Sequence, residues 1–237
     1  MSLRRGPSIV TDGLVFYVDA ANTKSYVSGS TTTNSLVGNI TGSLINDTDF
    51  STENQGAWVF DGTDDYIKSN YTGTIPSISL WFKSNSTITT TSSGSALIGF
   101  EDGAPNYGGI YLGAVTGLFS NELITIFSTS TFNKSYYSQV GGTIDTNWHN
   151  LTISYTGTQY NIYLDSVNVW SGNSGGDVSI INATRFDIGT RILSNNISDP
   201  FKGKISNIQV YNRALLPEEV QQNYNALKGR FGLWAEE

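Results

Sequence analysis

Residues 201–227 read FKGKISNIQVYNRALLPEEVQQNYNAL, and here the chain changes period. Ile205, Ile208 and Val210 lie in a short run rich in β-branched residues, the pattern of a buried strand. Asn212-Arg213 interrupts it. Pro217 suits the first turn of a helix, and Glu218-Glu219 place negative charge where the helix terminus is positive. Leu216, Val220, Tyr224 and Leu227 follow at helical spacing. The spacing predicts a long strand ending in one short helix, whose Leu216–Val220–Tyr224 stripe docks on a sheet.

The rest of the chain is written in strands. Leu14, Phe16, Val18 and Ala20 alternate with Val15, Tyr17 and Asp19 after an Asp12-Gly13 turn. Trp58-Val59-Phe60 leads into Asp61-Gly62-Thr63-Asp64, a hairpin signal, and Asp65 begins the return. Ile78, Leu80 and Phe82 alternate with Ser79, Trp81 and Lys83, which puts Trp81 on the outward side. Residues 84–94 and 192–200 carry no core signal and read as loops. Residues 96–100, 110–112, 118–119 and 123–127, a 148–155/160–164 hairpin, 167–170 and 185–189 supply further strands. About a dozen strands and one helix, with no repeat or linker, predict an all-β sandwich of two antiparallel sheets. The expected boundaries are an arm over 1–13, the sandwich over 14–227 and a tail over 228–237.

Composition narrows the function. The 237 residues suffice for a sizeable core in one all-β domain. Aromatics at 12% and hydrophobics at 38% exclude a disordered chain. Charged residues are only 14%, and the surface is Ser/Thr/Asn-rich. A net charge of −7 without a basic run gives no footing for nucleic acid. With no cysteine, disulfides and thiolate metal sites are excluded. No stretch approaches the ~20 apolar residues of a membrane span. The opening MSLRRGPSIV lacks the apolar core of a signal peptide, so export is not expected.

Three ordered blocks carry a resemblance: F-K-G-K-I-S-N-I-Q-V-Y-N-R-A-L from residue 201, W-V-F-D-G-T-D-D-Y-I from 58, and W-H-N-L-T-I-S-Y with Y-L-D from 148. Together they resemble laminin-G-like jelly rolls of the concanavalin A-like lectin/glucanase superfamily. The resemblance implies a concanavalin A-like jelly roll, and sugar binding or a bound calcium ion in many members. The opening G-L-V-F-Y-V-D-A-A-N after R-R-G-P, and the close Y-N-A-L-K-G-R-F-G-L, are similar to a branch common among virion structural proteins of tailed bacteriophages, many of them marine. That likeness implies a virion location, other virion proteins as partners and an oligomeric particle context. Where the family has an aspartate in D-L-S-G-N, this chain has Ser35.

Candidate chemistry is sparse. None of the seven glutamates forms the E-x-D-x-x-E arrangement of the superfamily's glucanases, so no catalytic residue is expected. The single histidine, His149, reads as a strand residue beside a tryptophan. Asp61, Asp64 and Asp65 share one turn, and Asp19 ends a strand expected nearby. Clustered oxygen ligands suit a hard cation such as calcium, while short carboxylates also stabilise turns by local hydrogen bonds. Trp81, Tyr107, Tyr136, Tyr137 and Trp170 are candidate sugar platforms or sheet packing. Phe231, Leu233 and Trp234 lie beyond the helix and would form an exposed apolar patch in a monomer. Either they fold back over the sandwich or they bury against a partner. The virion likeness favours the partner, with Arg4 and Arg5 offering guanidinium forks at the other end.

Overall fold

The computed structural model describes residues 7–101, 107–113, 123–128, 134–138, 143–172, 181–193 and 196–233. Twenty strands, two 3-10 turns and one α-helix occur among them. Two antiparallel eight-stranded sheets form the sandwich. The first sheet runs Val167–Gly172, Tyr160–Leu164, Trp148–Tyr155, Ser77–Ser84, Lys202–Tyr211, Ala57–Asp61, Asp49–Ser51, with Leu14–Asp19 also on Lys202–Tyr211. The second runs Lys134–Ser138, Ile124–Ser128, Tyr107–Leu112, Ser95–Glu101, Arg185–Ile188, Tyr66–Ser69, Thr41–Ile45, Thr32–Asn34. This is the expected all-β jelly roll with one short C-terminal helix. The core between the sheets holds Phe16, Trp58, Phe60, Leu80, Phe82, Ile98, Phe186, Ile205 and Ile208, all essentially inaccessible. Among the described residues no helix is long and apolar enough to cross a membrane.

Lys202–Tyr211 organises the first sheet. It pairs with Ser77–Ser84 along its length. On its other side, Lys202 to Ile205 pair with Ala57–Asp61, and Asn207 to Tyr211 pair with Leu14–Asp19. The change of partner coincides with a register break between Ile205 and Asn207. Ser206 stands at that break, and its hydroxyl donates to the Gly56 carbonyl at 2.8 Å.

The helix Pro217–Leu227 crosses the outer face of this sheet. Its phase differs by one step from the sequence reading. A residue before proline is pushed out of the helical region, and Leu216 is extended (φ −74°, ψ 156°) as the N-cap. Its side chain is therefore 54% exposed, and Leu215, 2% exposed, takes the buried position beside Val220. Glu219 accepts from the Leu216 N–H at 2.9 Å and holds Arg213 through paired contacts of 2.7 and 2.6 Å. Packing starts inside the expected arm: Val10 is buried beside Tyr211 and Val220, and its N–H donates to Asn223 Oδ1.

The tail also belongs to the fold. Lys228–Phe231 form a 3-10 turn, and Phe231 is 7% exposed against Trp81 and Trp148. Its ring stacks on Trp81 with centroids 4.1 Å apart and planes 14° apart. Tyr224 also stacks on Trp81, at 5.5 Å. Leu233 packs half-buried at the same cluster. Of the two fates open to these residues, Phe231 and Leu233 take the first and fold back over their own sandwich. Trp234, Arg4 and Arg5 lie outside the described residues. Trp81 does face outward from the sheet, but the helix and tail cover it to 1% exposure.

Arg230 fastens this cover. Its guanidinium donates to the Asn54 carbonyl (2.7 Å), Asp19 Oδ1 (2.7 Å), the Gly56 carbonyl (2.6 Å) and the Ser206 hydroxyl. One side chain thus ties the tail to the Glu53–Gln55 turn, the end of the first strand and the strand break. Two loop expectations also change. Ile88 is buried in the main core and bridges Ile144, and Arg191–Leu193 pairs antiparallel with Asn196–Ser198.

Candidate functional site

The hairpin between Ala57–Asp61 and Tyr66–Ser69 turns through residues 62–65. Gly62 is left-handed (φ +79°), and a Cβ there would meet the Lys202 stem at 2.7 Å, so glycine is required. Asp61 Oδ1 accepts the Thr63 N–H at 2.7 Å and the Asp64 N–H at 3.3 Å. The Thr63 N–H, followed by other backbone donors of the turn, holds the Asp61 carboxyl below the usual range. Asp65 is buried and accepts the Asp61 N–H at 2.9 Å. Burial, then the neighbouring charges of Asp61, Asp64 and Asp47, push its carboxyl up.

Asp61, Asp64 and Asp65 each offer an oxygen within 4.8 Å of the others. Calcium–oxygen distances of 2.3–2.6 Å place ligands on opposite sides of the ion about 5 Å apart. The three carboxylates therefore fit around one such ion, and it would relieve the repulsion that raises Asp65. Asp19 does not join them. It is paired with Arg230 at 2.7 Å and accepts the Tyr17 hydroxyl and the Ala21 N–H. The reason is topological: Asp19 ends the strand on the second half of Lys202–Tyr211, whereas Asp61 faces Lys202 at its start. Ser35, in the family's aspartate position, uses its hydroxyl to accept the Tyr17 and Val37 N–H groups.

Next to the turn, the chain crosses from one sheet to the other. Thr41–Ile45 is in the second sheet, Asp49–Ser51 in the first, and Asn46 and Asp47 between them are left-handed (φ 55° and 64°). Asn and Asp tolerate this conformation better than most residues. Thr48 anchors the crossing by donating to the Ile45 carbonyl at 2.8 Å. Two open grooves flank it. One, about 580 Å³, is lined by Asn46, Asp47, Asp49, Val59 and the three aspartates of the turn. The other, about 660 Å³, runs between Ser28–Gly29–Ser30–Thr31 and Asn46–Phe50, with Tyr26 and Leu44 at its base. They share Asn46, Asp47 and Asp49. Tyr26 packs on Phe50 (5.3 Å) and Trp58 (5.8 Å), which joins the groove wall to the core. The result is a polar trough of two adjoining grooves, with hydroxyls, amides and carboxylates in reach of a ligand.

The other candidates are structural. His149 is held between Asp165 (Nδ1, 2.7 Å) and Asp145 (Nε2, 3.1 Å). Burial opposes its charge, but bonding to Asp165 and Asp145 outweighs this and raises its pKa. With both nitrogens on carboxylates, it links Asp145 to Asp165 and is structural. Glu53 is bonded first to Lys204, then to Lys83 and the Trp148 indole, which holds its carboxyl at about 2. Such a carboxylate does not act as a general acid. Arg191 lies 5.2 Å over the Tyr107 ring. Trp170 is half-buried against the core, and the Tyr136 and Tyr137 side chains lie outside the described residues. Residues 24–33 read in the sequence as a polar loop, but nothing there marks it as a groove wall. The 46–50 crossing shows one signal, the Asn46-Asp47 pair, a left-handed turn signature.

Residues 61–221 match the family model described as the concanavalin A-like lectin/glucanases superfamily. No curated relative matches the chain in sequence. Similar folds occur among solved structures. Domain 4 of AbnA, a GH43 extracellular arabinanase from Geobacillus stearothermophilus in complex with arabinotriose, has a TM-score of 0.61 at 20% identity, over 89% of this chain and 98% of that one. The botulinum neurotoxin type G receptor binding domain has 0.60 at 14%, over 90% of this chain and 51% of the other. Trypanosoma rangeli sialidase in complex with sialic acid has 0.62 at 13%, over 94% and 34%. This chain thus spans about half and one third of the last two.

Proposed function

We propose that this chain, which belongs to the concanavalin A-like lectin/glucanase superfamily, is a non-catalytic glycan-recognition domain displayed on a bacteriophage particle as a virion structural protein. The observation that carries the glycan reading is the trough at the sheet crossing. It is open, and its hydroxyl, amide and carboxylate lining matches the hydroxyls of a sugar. Arabinotriose in the complex of the similar arabinanase domain is in keeping with this use of the fold. The virion part rests on the likeness of both chain ends to phage particle proteins.

Asp61, Asp64 and Asp65 hold a calcium ion at one end of the trough, and the ion orders the turn. Catalysis is not part of this reading. A retaining glycosidase needs carboxyls about 5 Å apart on opposite sides of the scissile bond. The three aspartates satisfy the separation but converge from one turn, and Asp61 and Asp65 spend oxygens on its backbone. A glycan array with the whole protein tests the reading, alongside quantification of the protein in purified particles. Binding together with stoichiometric incorporation is expected. Release of new reducing ends would instead make the chain a glycan hydrolase, and absence from particles would remove the virion role. Calcium is tested by melting in chelator and in millimolar calcium, because a ligand of the folded state raises the midpoint. Equal midpoints would eliminate the ion.

A further inference from the structure

We infer that the trough selects uncharged or amine-bearing sugars and rejects glycans that carry carboxylate or sulfate groups. This rests on the glycan-binding reading above and adds the class of ligand. The observation is the sign of the charge that a sugar would meet. Asp47 and Asp49 are exposed on the ridge common to both grooves, and Asp61 and Asp64 are exposed at one end. Neither lining contains Lys or Arg. Lys202 stands opposite Asp61 in the strand register, but its stem packs over Gly62, outside both linings. Among the described residues, Lys83 and Lys204 are paired with Glu53 and Arg230 with Asp19, while the exposed Lys24 and Lys68 stand on neighbouring elements outside both linings.

The walls fit the same class. Ser28–Gly29–Ser30–Thr31, Asn46 and Thr48 bring hydroxyl and amide groups, which take hydroxyls as donors or acceptors. The carboxylates only accept, so they favour ligand O–H and N–H groups. An anionic sugar would bring acceptor to acceptor. At the ~7 Å typical of a ligand group facing a trough wall, like charges in solvent discriminate about 1.5-fold per carboxylate at physiological salt. The four exposed carboxylates, Asp47, Asp49, Asp61 and Asp64, therefore discriminate about fivefold together. A cation on Asp61, Asp64 and Asp65 would cancel charge at that end only, leaving Asp47 and Asp49 facing the shared ridge.

The experiment is a titration of the whole protein with three oligosaccharides of equal length: neutral, amine-bearing, and uronate- or sialate-bearing. Each is measured in chelator and in millimolar calcium. The neutral and amine-bearing sugars are expected to bind about fivefold tighter than the anionic one in chelator and about twofold tighter in calcium, where only Asp47 and Asp49 keep their charge. Asp47→Asn, a change that this left-handed position tolerates, combined with Asp49→Asn, whose amide oxygen can still accept the Phe50 N–H, should narrow the gap in chelator to about twofold. An anionic sugar that binds as tightly as the neutral one overturns the selectivity while leaving glycan binding intact. An unchanged gap in the double variant overturns the assignment to this trough. Failure of every sugar to bind overturns the glycan reading as well.

Discussion

Phe231→Ala tests whether the C-terminal cover is part of the domain. The ring is 7% exposed, stacked 4.1 Å from Trp81 and 4.8 Å from Trp148. Truncating a buried phenylalanine costs about 3–5 kcal/mol, and stacked aromatic pairs add about 0.5–1.5 kcal/mol beyond their area. The site lies near the surface, so the hole can be partly wetted or closed by Leu233, and we take about 3–4 kcal/mol. In a domain of this size 1 kcal/mol moves Tm by about 2–4 °C, giving a fall of roughly 6–16 °C. The assay is thermal unfolding followed by calorimetry and by tryptophan fluorescence, which reports directly on Trp81 and Trp148. Leu233→Ala, at the half-buried rim of the same cluster, should cost clearly less. Deleting residues 228–237 removes Phe231 and Arg230 together and should cost more than Phe231→Ala alone. A truncated protein that melts within 2 °C of the full chain would refute the reasoning and return the tail to a partner-binding role.

Arg230→Met should cost about 3–5 kcal/mol, because it leaves Asp19, 7% exposed, without its countercharge; Asp19→Asn combined with it should recover part of the loss in denaturant titration. Val220→Asp puts an unpaired charge at a position with no solvent access and should cost several kcal/mol, read as a failure to accumulate folded protein; Leu216→Asp, one helical turn away and exposed, should be near neutral. Asp187 supplies a pH prediction. Burial, only partly offset by Arg185, raises its carboxyl to about 6. The folded state therefore holds this proton more tightly than the unfolded chain. The contribution is favourable at low pH and is lost as pH rises through about 6, amounting to roughly 3 kcal/mol across the window between the unfolded value and 6. Carboxyl NMR should show one aspartate titrating near pH 6, and Asp187→Asn should abolish that signal; if no carboxyl titrates there, the burial argument fails.

What was legible in the sequence follows from where the physics is local. Alternation along residues 14–20, 57–61 and 77–84 is a property of neighbouring residues, so strands, hairpins and the closing helix could be read directly. The one-residue error at Leu216 arose where two local rules compete: the helical stripe includes it, while Pro217 forces it to be extended. The Asp61–Asp65 cluster was legible because one turn holds it. Asp19 was misplaced because its neighbours depend on which half of Lys202–Tyr211 each strand joins, a fact of topology. Arg230 shows the limit most clearly. Its acceptors lie 24 to 211 residues away, two are backbone carbonyls, and nothing in G-R-F marks that arginine as different from a surface one. The trough is similar, since its two walls come from loops around 28–31 and 46–50 that only the sheet crossing brings together. A ligand surface assembled from ordinary polar loops has no periodicity of its own. Its chemistry becomes readable only after the sandwich has fixed which loops share an edge.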